Sequence, residues 1–235
     1  ASATTLYAAI YGASFFGGGV SGVFKSTDFG ATWNRVSDAV VEGQIVGGTD
    51  NMKLATGPSS AVFVGIVTNG VLSGVFNSAN AGATWTLMDL PTTSETGTSG
   101  TGAVGIHPGG QGSIHFALCA DRANPNVVYI AGDRQPLGYL DTGTFPNSIG
   151  AVNYTGRLFR GDASKSAGTQ WTHITDSNTA GSSAPHADGR ALAFDAAGNL
   201  LHGCDGGIYK RTAPTTATGD WFSVNGNAQI AERSE

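Results

Sequence analysis

The tryptophans constrain the fold of this chain more than any other feature, because each one ends a similar polar run. Trp33 closes GVFKSTDFGATW and Trp85 closes GVFNSANAGATW, two runs that agree at most positions. Trp171 and Trp221 close the looser runs GRLFRGDASKSAGTQW and GGIYKRTAPTTATGDW. The first two tryptophans lie about fifty residues apart, as do the last two, and a repeat of this length is typical of four-stranded propeller blades.

Each run predicts a strand, a tight turn and the start of the next strand. In the first copy, Ser26 and Asp28 carry oxygens that can bond the backbone N–H groups of a turn. Gly30 supplies a backbone conformation that other residues resist. Thr32 and Trp33 then begin the next strand, where the indole adds a large apolar surface to the packing. The unit is therefore predicted to be a hairpin with a fixed corner.

The rest of the chain also favours short strands. Glycine occurs 36 times in 235 residues, which is typical of a chain with many tight turns. Runs such as AVFVGIV, SIHFALCA and NVVYIAG are rich in Val, Ile, Tyr and Phe and are bounded by turn-forming residues, as strands are. No window keeps a helical apolar period for three turns without glycine, so we expect little helix.

The pattern Ser-x-Asp-x-Gly-x-Thr-Trp of the first copy resembles the Asp-box, the bacterial neuraminidase repeat. Its positions in the two better copies are Ser26, Asp28, Gly30, Thr32, Trp33, Ser78, Asn80, Gly82, Thr84 and Trp85, with Asn80 in place of the aspartate. The chain thus resembles the β-propellers of sialidases, xyloglucanase-type glycosidases and sortilin-like receptors. This resemblance implies that the box is a folding corner on the face away from the ligand site.

A second resemblance covers residues 186 to 231. The run HADGRALAFDAAGNLLHGCDGGIYKRT resembles a blade of large extracellular bacterial propeller proteins, and NGNAQIAE resembles the run that leads into their next blade. The match departs at Gly189, Arg190 and Cys204, so a ligand role of these positions in relatives does not transfer directly. Both resemblances imply an extracellular or cell-surface location.

The predicted fold is all-β, a propeller of four-stranded antiparallel blades with about four blades in this chain. The blades are expected at residues 1–43, 44–95, 101–176 and 186–225, and the first lacks an inner strand. Residues 226–235 either begin a further blade or close the ring, with 229–232 as the closing strand. We favour the further blade, in a larger propeller of about six to eight blades. The stretch TTSETGTSGTGAVG is expected to be a flexible linker.

Charge and composition exclude several classes of partner. The net charge is −5 and the twelve Lys and Arg residues are spread along the chain, so no nucleic-acid surface is expected. No apolar segment approaches the ~18 residues of a membrane span. Cys119 and Cys204 are either buried free thiols or a disulfide. The histidines and cysteines form no ligand-type pair, so neither a zinc site nor a cofactor is expected.

Candidate catalytic residues follow from the propeller order that the resemblance implies. The ligand face would be built by residues 12–19, 91–112, 134–156 and 176–190, the longest irregular stretches. Asp188 precedes an inner strand, whereas Asp133 and Asp205 end second strands, so Asp188 and Asp205 should lie close together. A carboxylate pair is what glycoside hydrolysis needs. Alternatively these aspartates only form turns or cap a loop, or they bind calcium together with backbone carbonyls.

Other side chains of the same face are candidates for ligand binding. His186, Arg190 and Arg134 could hold a sugar or a carboxylate. Aromatic platforms for sugar rings could come from Tyr139, Phe145, Tyr154, Phe15 and Phe16. The Arg-Ile-Pro start of sialidases and an arginine triad have no visible counterpart, which disfavours sialidase activity.

Three functions are consistent with these observations. The first is a secreted or cell-surface propeller that binds glycans or an extracellular protein partner, as a module of a larger protein whose remaining blades lie on another chain or segment. The second is a glycoside hydrolase, of a specificity other than sialidase, that uses Asp188 and Asp205. The third is a structural or assembly protein, which would bury an apolar or edge-strand surface against another chain.

Overall fold

A computed structural model of the chain describes residues 4–12, 19–97, 100–136 and 145–228. The described chain is nearly all-β, and its helices are short pieces such as α1 (Ala39–Glu42) and a 3₁₀ helix at Asp176–Asn178. Within these ranges, no helix is both long and apolar enough to cross a membrane. The predicted scarcity of helix follows from the frequent glycines, which end each apolar run.

The strands form consecutive antiparallel sheets in which each strand pairs with the next one along the chain. Sheet one contains β1 (Leu6–Ile10), β2 (Gly22–Ser26) and β3 (Asn34–Arg35). Sheet two contains β4 (Thr49–Thr56), β5 (Val62–Thr68), β6 (Val71–Ser78) and β7 (Thr86–Leu87). A separate hairpin of β8 (Thr93–Gly97) and β9 (Gly100–Val104) follows. Sheet three contains β10 (Ala117–Ala120), β11 (Val127–Arg134), β12 (Gly156–Asp162) and β13 (Trp171–His173). Sheet four contains β14 (Ala191–Phe194), β15 (Leu200–Cys204), β16 (Gly207–Arg211) and β17 (Trp221–Ser223).

The sheets pack face to face, in the way of propeller blades. The inner strand β4 contacts β1 on one side and β10 on the other, and β10 also contacts β14. In β5 and β11 nearly every side chain is buried, because each of these strands is covered by a neighbouring sheet on both faces. The predicted fold class, all-β with four-stranded antiparallel blades, is confirmed.

One apolar cluster fills each space between neighbouring sheets. Val23, Ile66 and Trp85 belong to the cluster between sheets one and two. Phe63, Phe116, Ile130 and Phe159 belong to the cluster between sheets two and three, and Tyr129, Leu200 and Trp221 to that between sheets three and four. The core is therefore divided among the interfaces of adjacent blades, as in other repeat architectures.

Three of the four tryptophans also form a directional bond to the preceding blade. The indole N–H groups of Trp85, Trp171 and Trp221 donate to the carbonyls of Val36, Asp89 and Ile174, at 2.7, 2.6 and 2.7 Å. These carbonyls lie just after β3, β7 and β13, the outer strands of the preceding sheets. The indole of Trp33 instead donates to Gly30 in its own turn at 3.1 Å and is 42% exposed. The sequence predicted the apolar packing of these rings but not the bond between blades.

The turn between Ser26 and Trp33, here called the Trp33 turn, is closed by side-chain hydrogen bonds. The Ser26 hydroxyl accepts from the N–H of Gly30 at 2.8 Å and donates to the Asp28 carboxylate at 2.7 Å. That carboxylate also accepts from the N–H and the hydroxyl of Thr32, at 2.9 and 2.6 Å. These bonds, those from Thr32 first, lower the pKa of Asp28 to about 2.

The turn between Ser78 and Trp85, called the Trp85 turn, has the same arrangement with an amide in place of the carboxylate. Asn80 Oδ1 accepts from the Ser78 hydroxyl and from the N–H of Thr84, both at 2.9 Å. Asn80 Nδ2 then donates to the Thr84 hydroxyl at 2.9 Å. The single difference reverses the direction of one hydrogen bond, because an amide nitrogen donates where a carboxylate oxygen accepts.

The expectation of a flexible linker after sheet two was wrong. Within this stretch β8 (Thr93–Gly97) pairs with β9 (Gly100–Val104), and the buried side chain of Glu95 ties the hairpin to other segments. Its carboxylate accepts from the Thr93 hydroxyl at 2.6 Å and from the N–H of Ser148 at 3.0 Å. The fully buried Arg157 guanidinium donates to the Thr93 hydroxyl at 2.8 Å and lies 4.0 Å from Glu95. This buried contact with a distant segment holds the stretch in a hairpin, although its composition is typical of a flexible linker.

The structure corrects the extent of one predicted strand and decides between the two states considered for the cysteines. The run SIHFALCA was expected to be a strand throughout, but β10 starts only at Ala117. Ile114 and His115 precede it in a turn, where their N–H groups both donate to the carbonyl of Gln111. Cys119 and Cys204 are free thiols, so the alternative of a disulfide is wrong.

Replacing Asp28 by asparagine should preserve the Trp33 turn at neutral pH, because Asn80 makes the matching bonds in the Trp85 turn. A carboxyl whose folded pKa lies below its unfolded value stabilises the fold above the unfolded pKa, and this stabilisation is lost as the pH falls through the folded pKa. For Asp28 that window runs from about pH 4 down to about pH 2. Urea denaturation across this window should therefore show a loss of stability that Asp28→Asn lacks. Parallel pH profiles of the two proteins would contradict the role of the carboxylate.

Replacing Trp85 by phenylalanine should lower the free energy of unfolding by about 2 kcal/mol, because a buried donor and part of a large ring are lost together. The same change at Trp33 should cost about 0.5 kcal/mol or less, since that indole is largely exposed and bonds only within its own turn. Chemical denaturation of the Trp85→Phe and Trp33→Phe variants would measure the loss of unfolding free energy for the same substitution at the two positions. Equal losses would show that the bond between blades is not what distinguishes them.

Candidate functional site

The candidate site lies at one end of sheets three and four, opposite the turns that lead to the tryptophans. At this end Arg134 of β11 pairs with Gly156 of β12, and Cys204 of β15 pairs with Gly207 of β16. The turns before Trp171 and Trp221 follow the other ends of β12 and β16. We call the end that carries Asp133, Arg134 and Asp205 the loop end.

Three ionisable side chains meet at the loop end although they come from different elements. His115 precedes β10, Asp188 precedes β14 and Asp205 directly follows β15. One nitrogen or oxygen atom of each side chain lies within 4.8 Å of the corresponding atoms of the other two. The pairing of β14 with β15 explains why Asp188 and Asp205 are neighbours, as the sequence predicts. We call His115, Asp188 and Asp205 the acidic cluster.

Asp188 is held in an unfavourable local environment. Its backbone adopts a φ of 68°, in the left-handed region that side chains with a Cβ seldom enter. Burial raises the pKa of its carboxyl, the His115 ring opposes this shift, and the Asp205 charge adds to it. Its Oδ1 lies 3.2 Å from Nδ1 of His115, yet neither atom has a hydrogen-bond partner of adequate geometry among the described residues.

Asp133 lies near the cluster and is fully buried. Its Oδ2 accepts from the N–H groups of Gly109 and Gln111, at 2.9 and 3.3 Å. Its Oδ1 has no hydrogen-bond partner within the described part of the chain. Burial raises the pKa of this carboxyl to about 7, and the charge of Asp188 contributes to the shift. Burial thus disfavours the charged form of Asp133, whereas the two backbone N–H groups partly offset this effect.

An aromatic pair borders the cluster. The rings of Tyr154 and His186 stack with their centroids 6.2 Å apart and an angle of 10° between their planes. Tyr154 is 64% exposed, so most of this residue is accessible to solvent. The charge of His186 acts on Asp188, which places the pair beside the acidic cluster.

Two arginines of the same end are engaged with polar neighbours. Arg190 Nε lies 3.0 Å from Oδ1 of Asp205, and the arginine remains substantially exposed. Arg134 Nη1 donates to the side-chain oxygen of Asn153 at 3.3 Å. The predicted ligand residues His186, Arg190 and Arg134 are thus all placed at the loop end. The predicted Tyr139, and Phe15 and Phe16, lie outside the described residues.

His115 is the member of the site that the sequence analysis missed. It was assigned to the interior of a strand and it has no second histidine or cysteine at ligand spacing. Strand pairing and the packing between blades bring Asp188 and Asp205 close to His115. The spacing of these residues along the sequence does not indicate their contacts. Recognition of the turn at Gln111 would place His115 before β10, the inner strand of sheet three. Asp188 likewise precedes β14, the inner strand of sheet four.

The chain was compared with family models, with curated proteins and with solved structures. No family model and no curated protein matches it. Among solved structures it is similar to an ancestral GH74 enzyme, with 18% identity and a TM-score of 0.41, over 85% of this chain and 21% of that chain. It is also similar to the leech intramolecular trans-sialidase, with 12% identity and a TM-score of 0.40, over 94% and 29% of the two chains. The intramolecular trans-sialidase from Ruminococcus gnavus gives 12% identity and a TM-score of 0.41, over 94% and 41%. This chain therefore spans less than half the length of each of these structures.

Proposed function

We propose that the loop end binds a glycan and that this chain is a module of a larger extracellular propeller protein. The observation that carries the proposal is the exposed ring of Tyr154, which is held in place by stacking on His186. A sugar ring presents a face of C–H groups and a rim of hydroxyls. An aromatic face bordered by charged hydrogen-bonding groups complements both features.

The backbone that carries Tyr154 is fixed by hydrogen bonds to the segment before β14. The carbonyl of Tyr154 accepts from the N–H of Ala187 at 2.9 Å, and the N–H of Gly156 donates to the carbonyl of Pro185 at 2.9 Å. A side chain at Gly156 would lie 2.6 Å from the carbonyl oxygen of His186, so a glycine is needed for this approach. A platform oriented before binding loses little conformational entropy when a ligand arrives.

Charged side chains around the platform supply partners for hydroxyl groups. The exposed Arg190 forms an ion pair with the largely buried Asp205, and Arg134 reaches Asn153, the residue before Tyr154. Together they offer donors and acceptors at fixed positions, as sites for polar ligands do. The mixture of both charges favours a hydroxyl-rich ligand over a polyanion.

The role as a module is supported by the surface of sheet one. Among the described residues Trp33 makes no bond to a preceding sheet, and Leu6 and Ile10 of β1 are exposed. We propose that a further blade of the same protein packs on this surface of sheet one in the same way as sheet one packs on sheet two. In this proposal the Trp33 and Trp85 turns are Asp-box corners, remote from the ligand. The extracellular location stays a prediction from the resemblance.

The hydrolase alternative also stays a prediction, and the geometry favours it less. Glycoside hydrolysis uses two carboxyl groups roughly 5 to 9.5 Å apart. Oxygens of Asp188 and Asp205 approach within 4.8 Å, and Arg190 is paired with one of them. The raised pKa of Asp133 suits a proton donor, but that side chain is fully buried. The assembly alternative would use the exposed surface of sheet one instead of the loop end.

Glycan binding should depend on Tyr154. We expect a glycan array to reveal a ligand of the wild-type chain, and Tyr154→Ala to weaken its binding by about tenfold or more, the loss expected for an aromatic anchor. Phe29→Ala is a matched control, because Phe29 is an exposed aromatic residue with a φ of 59°, compared with 60° for Tyr154, and lies in the Trp33 turn. Its affinity should equal that of the wild type, as measured by titration calorimetry.

Two outcomes would contradict the proposal. If no glycan binds, or if both variants bind a glycan equally well, Tyr154 is not a platform. If the wild type cleaves the bound glycan and Asp188→Asn abolishes cleavage while preserving binding, the hydrolase alternative replaces the binding module.

A further inference from the structure

We propose that His115, Asp188 and Asp205 bind a divalent transition-metal ion of the Zn²⁺ class at the loop end. The three side chains converge so that one donor atom of each lies within 4.8 Å of the other two. A metal ion at the centre of such a triangle can be reached by all three with small movements of the side chains. This inference does not depend on glycan binding.

The imidazole of His115 gives the first argument. The residue is only 6% exposed, and its Nδ1 is buried without a hydrogen-bond partner in the described structure. A buried polar atom that lacks a partner costs about 1–3 kcal/mol, so native proteins nearly always satisfy it. Nδ1 faces Oδ1 of Asp188, which also lacks a hydrogen-bond partner. A metal ion would satisfy both atoms at once.

The charge of the two carboxylates gives the second argument. Asp188 and Asp205 repel each other across a short distance, and the exposed Arg190 pairs with Asp205 alone. The nearby Asp133 adds a third carboxyl group, with another unpaired oxygen. A divalent cation would neutralise this concentration of buried acidic groups.

The donor set indicates the class of ion. Ca²⁺ and Mg²⁺ prefer oxygen ligands alone, whereas an imidazole nitrogen suits Zn²⁺ and related ions. One histidine and two aspartates would give three protein ligands and leave a position for water or a ligand, as in open zinc sites. The neighbouring Cys204 is not needed, since its thiol donates to the carbonyl of Gly207 at 3.5 Å.

The test is calorimetric titration of Zn²⁺ into the untagged, chelator-treated chain. We expect one Zn²⁺ ion per chain, and a loss of affinity of at least about tenfold in His115→Gln and in Asp188→Asn. Arg190→Gln should bind Zn²⁺ more tightly than the wild type, because it removes a positive charge and frees Oδ1 of Asp205. His173→Gln is the control; this histidine lies in β13, contacts Ser177 and should have no effect.

Several results would overturn the proposal. These are the absence of saturable Zn²⁺ binding, unchanged affinity in His115→Gln or Asp188→Asn, and displacement of Zn²⁺ by equimolar Ca²⁺. Circular dichroism and melting in chelator will show whether each variant is folded. Should both ligand variants fail to fold, the Arg190→Gln variant tests the proposal, because the exposed Arg190 is not a ligand. A Zn²⁺ affinity of this variant equal to or weaker than that of the wild type would contradict a metal ion at Asp205.

Discussion

The hydrogen bond from a tryptophan indole to the carbonyl of the preceding sheet is the interaction on which the arrangement of the blades depends. Backbone hydrogen bonds join strands only within a sheet, and apolar clusters between sheets have no preferred direction. The bonds of Trp85, Trp171 and Trp221 add a directional contact at each interface. Each bond places the outer strand of one blade against the corner of the next.

The loop end depends on this fixed arrangement, because its side chains come from different blades. His115 belongs to the segment before sheet three, whereas Asp188 and Asp205 flank strands of sheet four. The segment before β14 lies against sheet three, where the N–H of Gly189 donates to the carbonyl of Gly132 at 2.8 Å. A Cβ at Gly189 would lie 2.6 Å from that of Ala131, so this approach requires glycine.

The sequence predicted those parts of the molecule whose contacts are local. The strands, the corners at Asp28 and Asn80, and the approach of Asp188 to Asp205 all follow from turn chemistry and strand pairing. The β8–β9 hairpin could not be predicted, because Arg157 meets Glu95 across a long stretch of chain. His115 was missed for the same reason, since its neighbours are fixed by packing between blades.

The carboxyl groups at the two ends of the blades differ in how their hydrogen-bonding capacity is satisfied, and this difference supports the site that we propose at the loop end. In the Trp33 turn both Asp28 oxygens accept hydrogen bonds, which lowers its pKa. At the loop end, burial raises the pKa values of Asp133 and Asp188, and each keeps an oxygen without a hydrogen-bond partner in the described structure. A buried carboxylate oxygen without a partner costs stability, so the unpaired oxygens of Asp133 and Asp188 favour a ligand that supplies the absent partners. These unpaired carboxylate oxygens support our proposal of a ligand at the loop end, whereas the side chains of the tryptophan turns are engaged in the contacts of the fold.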